Sequence, residues 1–250
     1  MPENSKKNKG HKHIISQAIE EIVHIFSGLG FSVAEGPEIE TERYNFDVLN
    51  IPPNHPARDL WDTFWLKPES TGGTLLRTHT SPVQAHYMEE HETPIRIIAP
   101  GKVFRYEATD ATHESQFHQL EGLMIDTDIT LGIMRGILKK FFEEFLGTNI
   151  DLRLRPSYFP FVEPGVEIDM SCFKCEGKGG KCFLCKDTGW IEIMGAGMVH
   201  PTVLNELGIN PRKHQGFAFG VGIDRLVMLK HGIDDIRLLY SGDLRLVNQF

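Results

Sequence analysis

Residues 101–122 read GKVFRYEATDATHESQFHQLEG. Lys102–Glu107 reads as a strand, residues 108–116 are polar, and an apolar-rich stretch resumes at Phe117. The pattern predicts two strands joined by a long polar loop. On the return strand, Phe117 to Ile125, the period-two face holds Phe117, Gln119, Glu121, Leu123 and Ile125. Two polar side chains among apolar ones do not suit a plain core. Arg105 closes the outgoing strand beside the loop that carries His113. A guanidinium there suits an anionic ligand, since it grips phosphate with two parallel hydrogen bonds. The competing reading is a surface ion pair between Arg105 and Glu107.

Outward from this pair, Ile95 to Ala99 forms another strand, separated from Lys102 by Pro100-Gly101. Near the start, Ile15, Ile19, Ile22 and Phe26 make one helical stripe, stopped by Gly28 and Gly30 and followed by the short strand FSVAEGP. Residues 43 to 60 read as a structured loop broken by Pro52, Pro53 and Pro56. Trp61 to Leu66 and Leu75 to Thr78 are candidate strands. A helix then starts with Ser81 as N-cap, Pro82 in the first position and Gln84 completing a capping box. A longer helix spans about Ile129 to Phe145, with Ile133, Ile137, Phe141 and Phe145 as an apolar row.

Toward the C-terminus, GFAFGVGIDRLVML (216–229) runs from a strand through a Gly-x-Gly turn into a helix from about Ile223 to Lys230. Arg225 stands in that helix's first turn, where a cation gains nothing from the helix dipole. Strands mostly follow one another without intervening helices. The expected fold is therefore α+β, a mainly antiparallel sheet flanked by helices. No internal repeat is expected. A basic, flexible tail (1–12) precedes one domain (13–250).

The bulk composition excludes several classes. The chain has 250 residues with 26 basic and 34 acidic side chains, a net charge of −8, so it is no nucleic-acid coat. No apolar run approaches the roughly 20 residues of a membrane span, and MPENSKKNKGHKH lacks the apolar centre of a signal peptide. A cytoplasmic, reducing setting follows, in which paired cysteines are metal ligands more often than disulfides. All four cysteines fall in CFKCEGKGGKCFLCKDTG, residues 172–189, spaced C-x2-C-x6-C-x2-C. Four thiolates so spaced can close a tetrahedral zinc site with no open position, which makes the metal structural. The alternative is four reduced thiols. Strands Val166–Met170 and Trp190–Met194 put the segment at a hairpin tip.

Six blocks in order, HPARDLWDTFWL, LLRTHTSPVQ, GKVFRYEATDATHESQFHQLEG, YFPFVEPG, MGAGMVHP and GFAFGVGIDRL, resemble the alpha subunits of bacterial phenylalanyl-tRNA synthetases. The third and sixth are similar to motifs 2 and 3 of class II aminoacyl-tRNA synthetases, and GFSVAEGP to the end of motif 1. The resemblance spans residues 13–250. It implies activation of L-phenylalanine by ATP and transfer to the terminal adenosine of tRNA(Phe), at its 2′-hydroxyl. It implies that Arg105 holds the α-phosphate, His113 the outer phosphates and Arg225 the γ-phosphate, with Arg225 and Phe117 on either side of the adenine and Glu107 at its border. For phenylalanine it implies Gln119 and Glu121 at the ammonium, with Trp61, His79 and Ser81 at the head-group end. Phe159 and Phe161, on one face of an extended segment, would take the ring above a floor at Ala218. Glu163 would be a magnesium ligand shared with a beta subunit in an α2β2 assembly, and Mg2+ would accompany ATP.

Such subunits normally begin with a helical arm of about a hundred residues, and no such arm precedes residue 13 here. The zinc insertion at Cys172, Cys175, Cys182 and Cys185 is not needed for the reaction. Two other readings remain open at this point. One is a class II paralogue without aminoacylation, a regulator or amide synthetase. The other is a chaperone-type zinc module, which would show four CxxCxGxG repeats where two occur here.

Overall fold

The computed structural model describes residues 10–56, 58, 63–67 and 73–250. Its centre is a seven-stranded sheet in the order β1-β5-β6-β10-β9-β8-β7. The strands are β1 (Ser32–Val33), β5 (Ile95–Phe104), β6 (Gln116–Asp126), β7 (Leu152–Phe159), β8 (Val162–Ser171), β9 (Trp190–Val199) and β10 (Gln215–Gly222). Every pair is antiparallel except β1 with β5. A smaller sheet, β2-β4-β3, joins β2 (Ile39–Thr41), β3 (Trp65–Lys67) and β4 (Thr74–Leu76).

The pleat divides the core in two. On β6, Leu120 and Met124 face a cluster built with helices α1 (Ile14–Gly28) and α4 (Leu131–Leu146) and the later α6 (Ile223–His231). Leu123 and Ile125 face the opposite cluster, shared with α3 (Ser81–Glu90) and α5 (Pro201–Glu206). In the first cluster Phe26 packs on Phe141 and Phe219, with ring centroids 4.8 and 5.6 Å away. Full burial of such a ring contributes about 1.5–3 kcal/mol. In the second, the strands carry small residues and leave space. The remaining helices are α2 (Glu42–Asn45), α7 (Arg237–Tyr240) and α8 (Leu244–Val247). Among the described residues no helix is long and apolar enough to cross a membrane.

Several local expectations change. Pro100-Gly101 does not interrupt a strand: β5 runs through it, with Pro100 opposite Leu120 and Gly101 opposite Gln119. The Ile98 carbonyl accepts from Ala34 on the β1 side. Residue 100 points the same way, beyond the end of β1, so its missing N–H breaks no ladder bond. A Cβ on Gly101 would lie 2.3 Å from Arg77 Nη2, so the guanidinium, hydrogen-bonded to the carbonyls of Lys102, Gly36 and Pro37, would have to shift.

Helix α4 starts later than expected because Thr130 caps it, its side chain accepting from Ile133 N at 3.2 Å. Ile133 is exposed, and Met134, Leu138, Phe141, Phe142 and Phe145 carry the buried stripe. The expected capping box at Ser81 does not form. Thr80 is the N-cap, and the side chains of Ser81 and Gln84 are both engaged elsewhere. The hairpin around the cysteines is as expected, though longer, with Ser171 opposite Trp190 at its throat.

Candidate active site

The register of β6, β10 and β9 builds the site. Gln119 lies opposite Gly222, Glu121 opposite Gly220 and Leu123 opposite Ala218. Gly220 in turn lies opposite Gly195 on β9. A row of long side chains thus faces positions with one carbon or none, and a cavity of about 290 Å³ results. That is the small end of ligand pockets, which run to about 1,000 Å³. A Cβ on Gly195 would lie 2.8 Å from the Phe159 ring, and one on Gly220 would lie 3.1 Å from Gln119 Nε2. These two glycines are site residues that sequence reading missed, although GAG and GFAFGVG carry the signal.

The polar end of the cavity is organised around Glu121, which is buried. Its carboxyl accepts from Ser81 Oγ at 2.5 Å, Gln84 Nε2 at 2.9 Å and Thr80 N at 3.2 Å. This explains the absent capping box, because the two residues that would close it hold the carboxylate instead. Burial still dominates and pushes Glu121 up to about 7, against those hydrogen bonds and the Arg105 charge. Beside it, Gln119 Oε1 is a buried acceptor with no hydrogen-bond partner among the described residues. Such an atom costs about 1–3 kcal/mol in an empty site.

His79 also lines the cavity, its Nε2 3.1 Å from the Asn45 carbonyl. Burial, then the Arg105 and Arg77 charges, push it down to about 3, so the imidazole is neutral at physiological pH. Arg105 follows the end of β5. Its Nε donates to Thr78 O at 3.1 Å, and its guanidinium sits 5.1 Å from the centre of the Phe117 ring. The expected alternative, an Arg105–Glu107 ion pair, does not form: the two residues are joined by a backbone bond of 2.8 Å from Glu107 N to Arg105 O. Burial lowers the Arg105 pKa, and the Glu107 and Glu121 charges oppose that.

At the apolar end, the rings of Phe159 and Phe161 lie 6.0 Å apart and nearly parallel. Both line the cavity, as does Ala218. The two rings do not share one extended segment: Phe159 ends β7, and Pro160 and Phe161 form the turn to β8. Trp61 lies outside the described residues. Glu163 is exposed on β8, next to the cavity-lining Val162.

Five expected site residues, Glu107, His113, Phe117, Glu163 and Arg225, do not line this cavity. His113 is exposed in the loop, with Nδ1 3.0 Å from Asp110 Oδ1. The loop is pinned by Ile236 N donating to Ala111 O at 2.9 Å. Arg225 is exposed in the first turn of α6 and donates to Glu192 O at 3.3 Å. Its neighbour Asp224 is buried, accepts from His118 N at 2.6 Å and from the Tyr240 hydroxyl, and so ties the start of α6 to β6.

The cysteine segment is a separate centre. Sγ atoms of Cys172 and Cys182 are 3.8 Å apart, and those of Cys175 and Cys185 are 3.7 Å apart. All four lie within 4.8 Å of one another. A tetrahedron of thiolates ~2.3 Å from its centre has edges of about 3.8 Å, so the set fits a zinc-sized ion and is too open for disulfides. Glu163 belongs to no such group among the described residues.

The two CxxC units of the segment form a ten-residue repeat with matching backbone bonds. Gly177 N donates to Cys172 O at 3.0 Å, and Asp187 N to Cys182 O at 3.1 Å. Gly179 packs on the Asp187 carbonyl and Gly189 on that of Gly177, each leaving 2.4 Å for a Cβ. N–H groups of Cys185 and Leu184 lower Cys182 to about 7, while burial pushes Cys172 up to about 12.

The arrangement has likenesses among known proteins. The model of the class II core domain (F) of tRNA synthetases matches residues 2–250. The fold is that of class II synthetases: pyrrolysyl-tRNA synthetase from Desulfitobacterium hafniense superposes with a TM-score of 0.68 at 19% identity, over 91% of this chain and 73% of that one. The chain belongs to the class II tRNA synthetase core family. Within it, phenylalanine–tRNA ligase alpha subunits are similar over nearly the whole length. Those of Exiguobacterium sp. and Caldanaerobacter subterraneus are each 55% identical over 96% of this chain. That of Enterococcus faecalis is 54% identical over 97%. The chain spans 69% of each of these relatives.

Proposed function

We infer that this chain is the catalytic alpha-type subunit of a phenylalanine–tRNA ligase. The observation that carries the reading is the β6 row: a buried, hydrogen-bonded Glu121 and an unpartnered Gln119 acceptor at one end, and an apolar chamber over Ala218 at the other. A free α-amino acid with an aromatic side chain has the matching polarity. Its ammonium would donate to Gln119 Oε1 and ionise Glu121. His79 and Ser81 border the head group, and Phe159 and Phe161 take the ring. Trp61 is assigned to the head-group end on family resemblance alone.

In activation, the phenylalanine carboxylate oxygen attacks the α-phosphorus of ATP, the α–β phosphoanhydride breaks, and pyrophosphate leaves. No side chain forms a covalent bond. Arg105, held by Thr78 and Phe117 at the cavity's mouth, stabilises charge on the α-phosphate. Phe117 and Arg225 flank the adenine with Glu107 at its edge, and Arg225 and His113 hold the outer phosphates. Neither of the last two lines the amino-acid cavity, so the nucleotide would lie outside it, beside the loop and α6. Transfer follows when a terminal ribose hydroxyl of tRNA(Phe) attacks the adenylate carbonyl and AMP leaves.

Mg2+ neutralises phosphate charge when bound. Glu163 offers it one exposed carboxylate, enough for an ion that keeps several waters, with the rest of the shell from a beta subunit in an α2β2 assembly. Zinc in the four-thiolate cage is structural. A cytoplasmic location suits both the reaction and the reduced thiols. The test is charging of tRNA(Phe) by the chain with and without a co-expressed beta-type partner. Charging only with the partner is expected. Full charging by this chain alone would overturn the subunit reading, and amino-acid activation without any charging would point to a non-aminoacylating paralogue.

A further inference from the structure

A second cavity, of about 760 Å³, opens between the cysteine insertion and α6. Phe173, Phe183 and Leu184 form its wall on the insertion side, and Met228, Leu229 and Ile233 form the other. Its charged lining is Lys174, Arg225 and Lys230 against one acid, Asp234. Lys230 is engaged by Glu21 at 2.6 Å and Arg225 is assigned above to the nucleotide, which leaves Lys174 as the available cation. The insertion itself carries Lys174, Lys178, Lys181 and Lys186 against Glu176 and Asp187, a positive island in a chain of net charge −8.

Phe183 is 77% exposed, the most exposed large apolar side chain among the described residues. The Lys174 ammonium sits 3.6 Å from its ring centre, which holds the ring in place on one side. No packing requirement explains a ring so displayed. Thr112, from the loop that carries His113, also lines the cavity. The cleft is thus shared by the insertion, α6 and that loop.

We propose that this cleft receives the single-stranded 3′ end of an RNA, with Phe183 as a stacking platform and Lys174 facing its phosphates. An aromatic face beside cations, with one acid in the lining, matches a strand that repeats a π-surface and a negative charge at every nucleotide. An apolar peptide would gain nothing from the cationic rim. The inference rests on the functional reading above and gives the insertion a task beyond stapling a hairpin.

The test uses the chain co-assembled with its beta-type partner, with Phe183→Ala and Lys174→Glu made separately. Three quantities are read: phenylalanine-dependent ATP–pyrophosphate exchange, KM for a tRNA(Phe) transcript, and the salt dependence of transcript binding. Exchange and metal content should stay at the unmodified level. KM for the transcript should rise about fivefold or more in Phe183→Ala, as lost base stacking predicts. The salt slope in Lys174→Glu should fall by about 1. Unchanged KM and slope in both variants would overturn the proposal. So would a loss of partner assembly in Phe183→Ala, which would assign the cleft to a protein. Absence of exchange in the unmodified assembly would instead sink the functional reading beneath it.

Discussion

The cysteine cage and the amino-acid cavity are built in opposite ways. The cage is local: all four ligands come from fourteen consecutive positions, and backbone turns repeated at ten residues set their spacing. The cavity is dispersed. Its carboxylate comes from β6, its hydrogen-bond donors from α3, its empty space from β10 and β9, and its rings from the β7–β8 turn. A local site is conspicuous in a sequence and says little about activity. A dispersed one is inconspicuous, and it is here that the chemistry is proposed.

That contrast breaks or stands on what mutation does at each centre. The largest effect is expected from Arg105→Ala, which removes the cation proposed to face the reacting phosphate. Phenylalanine-dependent exchange should fall about 10²–10³-fold with no change in metal content. Loss of metal or of folding in that variant would show that the two centres are not independent.

Glu121 offers a sharper probe because burial holds its carboxyl at about 7 in the empty cavity. An ammonium ligand binds the ionised form, so phenylalanine affinity should rise as pH rises through about 7 and level off above it. For folding the sign is reversed. The group's folded pKa is raised above its ordinary 4.5, so its contribution to stability is complete below 4.5 and is lost as pH rises through about 7. Phenylalanine should therefore raise Tm more at the alkaline end of that window. Glu121→Gln should flatten the pH profile of binding and lower kcat/KM for phenylalanine by about 10-fold or more, the loss of one charge-assisted contact. A profile that keeps its inflection would exclude Glu121 as its source.

At the cage, Cys172→Ser with Cys185→Ser should abolish the one bound metal per chain and lower Tm. Exchange should stay within about twofold of the unmodified level, since a closed four-thiolate site has no open position for chemistry. Metal analysis on protein purified without chelator checks the first half. The smallest effect is expected at the cavity floor. Ala218→Gly removes one methyl group, worth about 0.8 kcal/mol of contact. It should shift relative kcat/KM toward para-halogenated phenylalanines, and an unchanged ratio would reject Ala218 as the limit on ring size.

The fold class was legible in the sequence because strands follow strands and helical stripes stand apart. The odd polar pair Gln119 and Glu121 on an otherwise apolar strand face was legible for the same reason, since period two needs no tertiary information. What was not legible depended on partners distant in sequence. Ser81 and Gln84 have the spacing of a capping box, and only the approach of Glu121, about forty residues on, redirects them. Gly195 and Gly220 read as turn or strand glycines until β9 and β10 lie side by side and their missing Cβ atoms become the cavity. Pro100 reads as a break until the end of β1 shows that its missing N–H faces no neighbour. Arg225 and His113 lie outside the cavity, one on α6 and the other in the β5–β6 loop, and no sequence period relates either of them to β6.

The central claim is that β6 and β10 form a chamber that reads an α-ammonium at Glu121 and Gln119 and an unsubstituted ring above Ala218. Its most direct test is ATP–pyrophosphate exchange by the partnered chain, with each proteinogenic amino acid and with 3-phenylpropionate, which has the ring and carboxylate but no ammonium. The account predicts exchange with phenylalanine, little with tyrosine, and none with 3-phenylpropionate. Equal exchange with 3-phenylpropionate, or a preference for a non-aromatic amino acid, would contradict it.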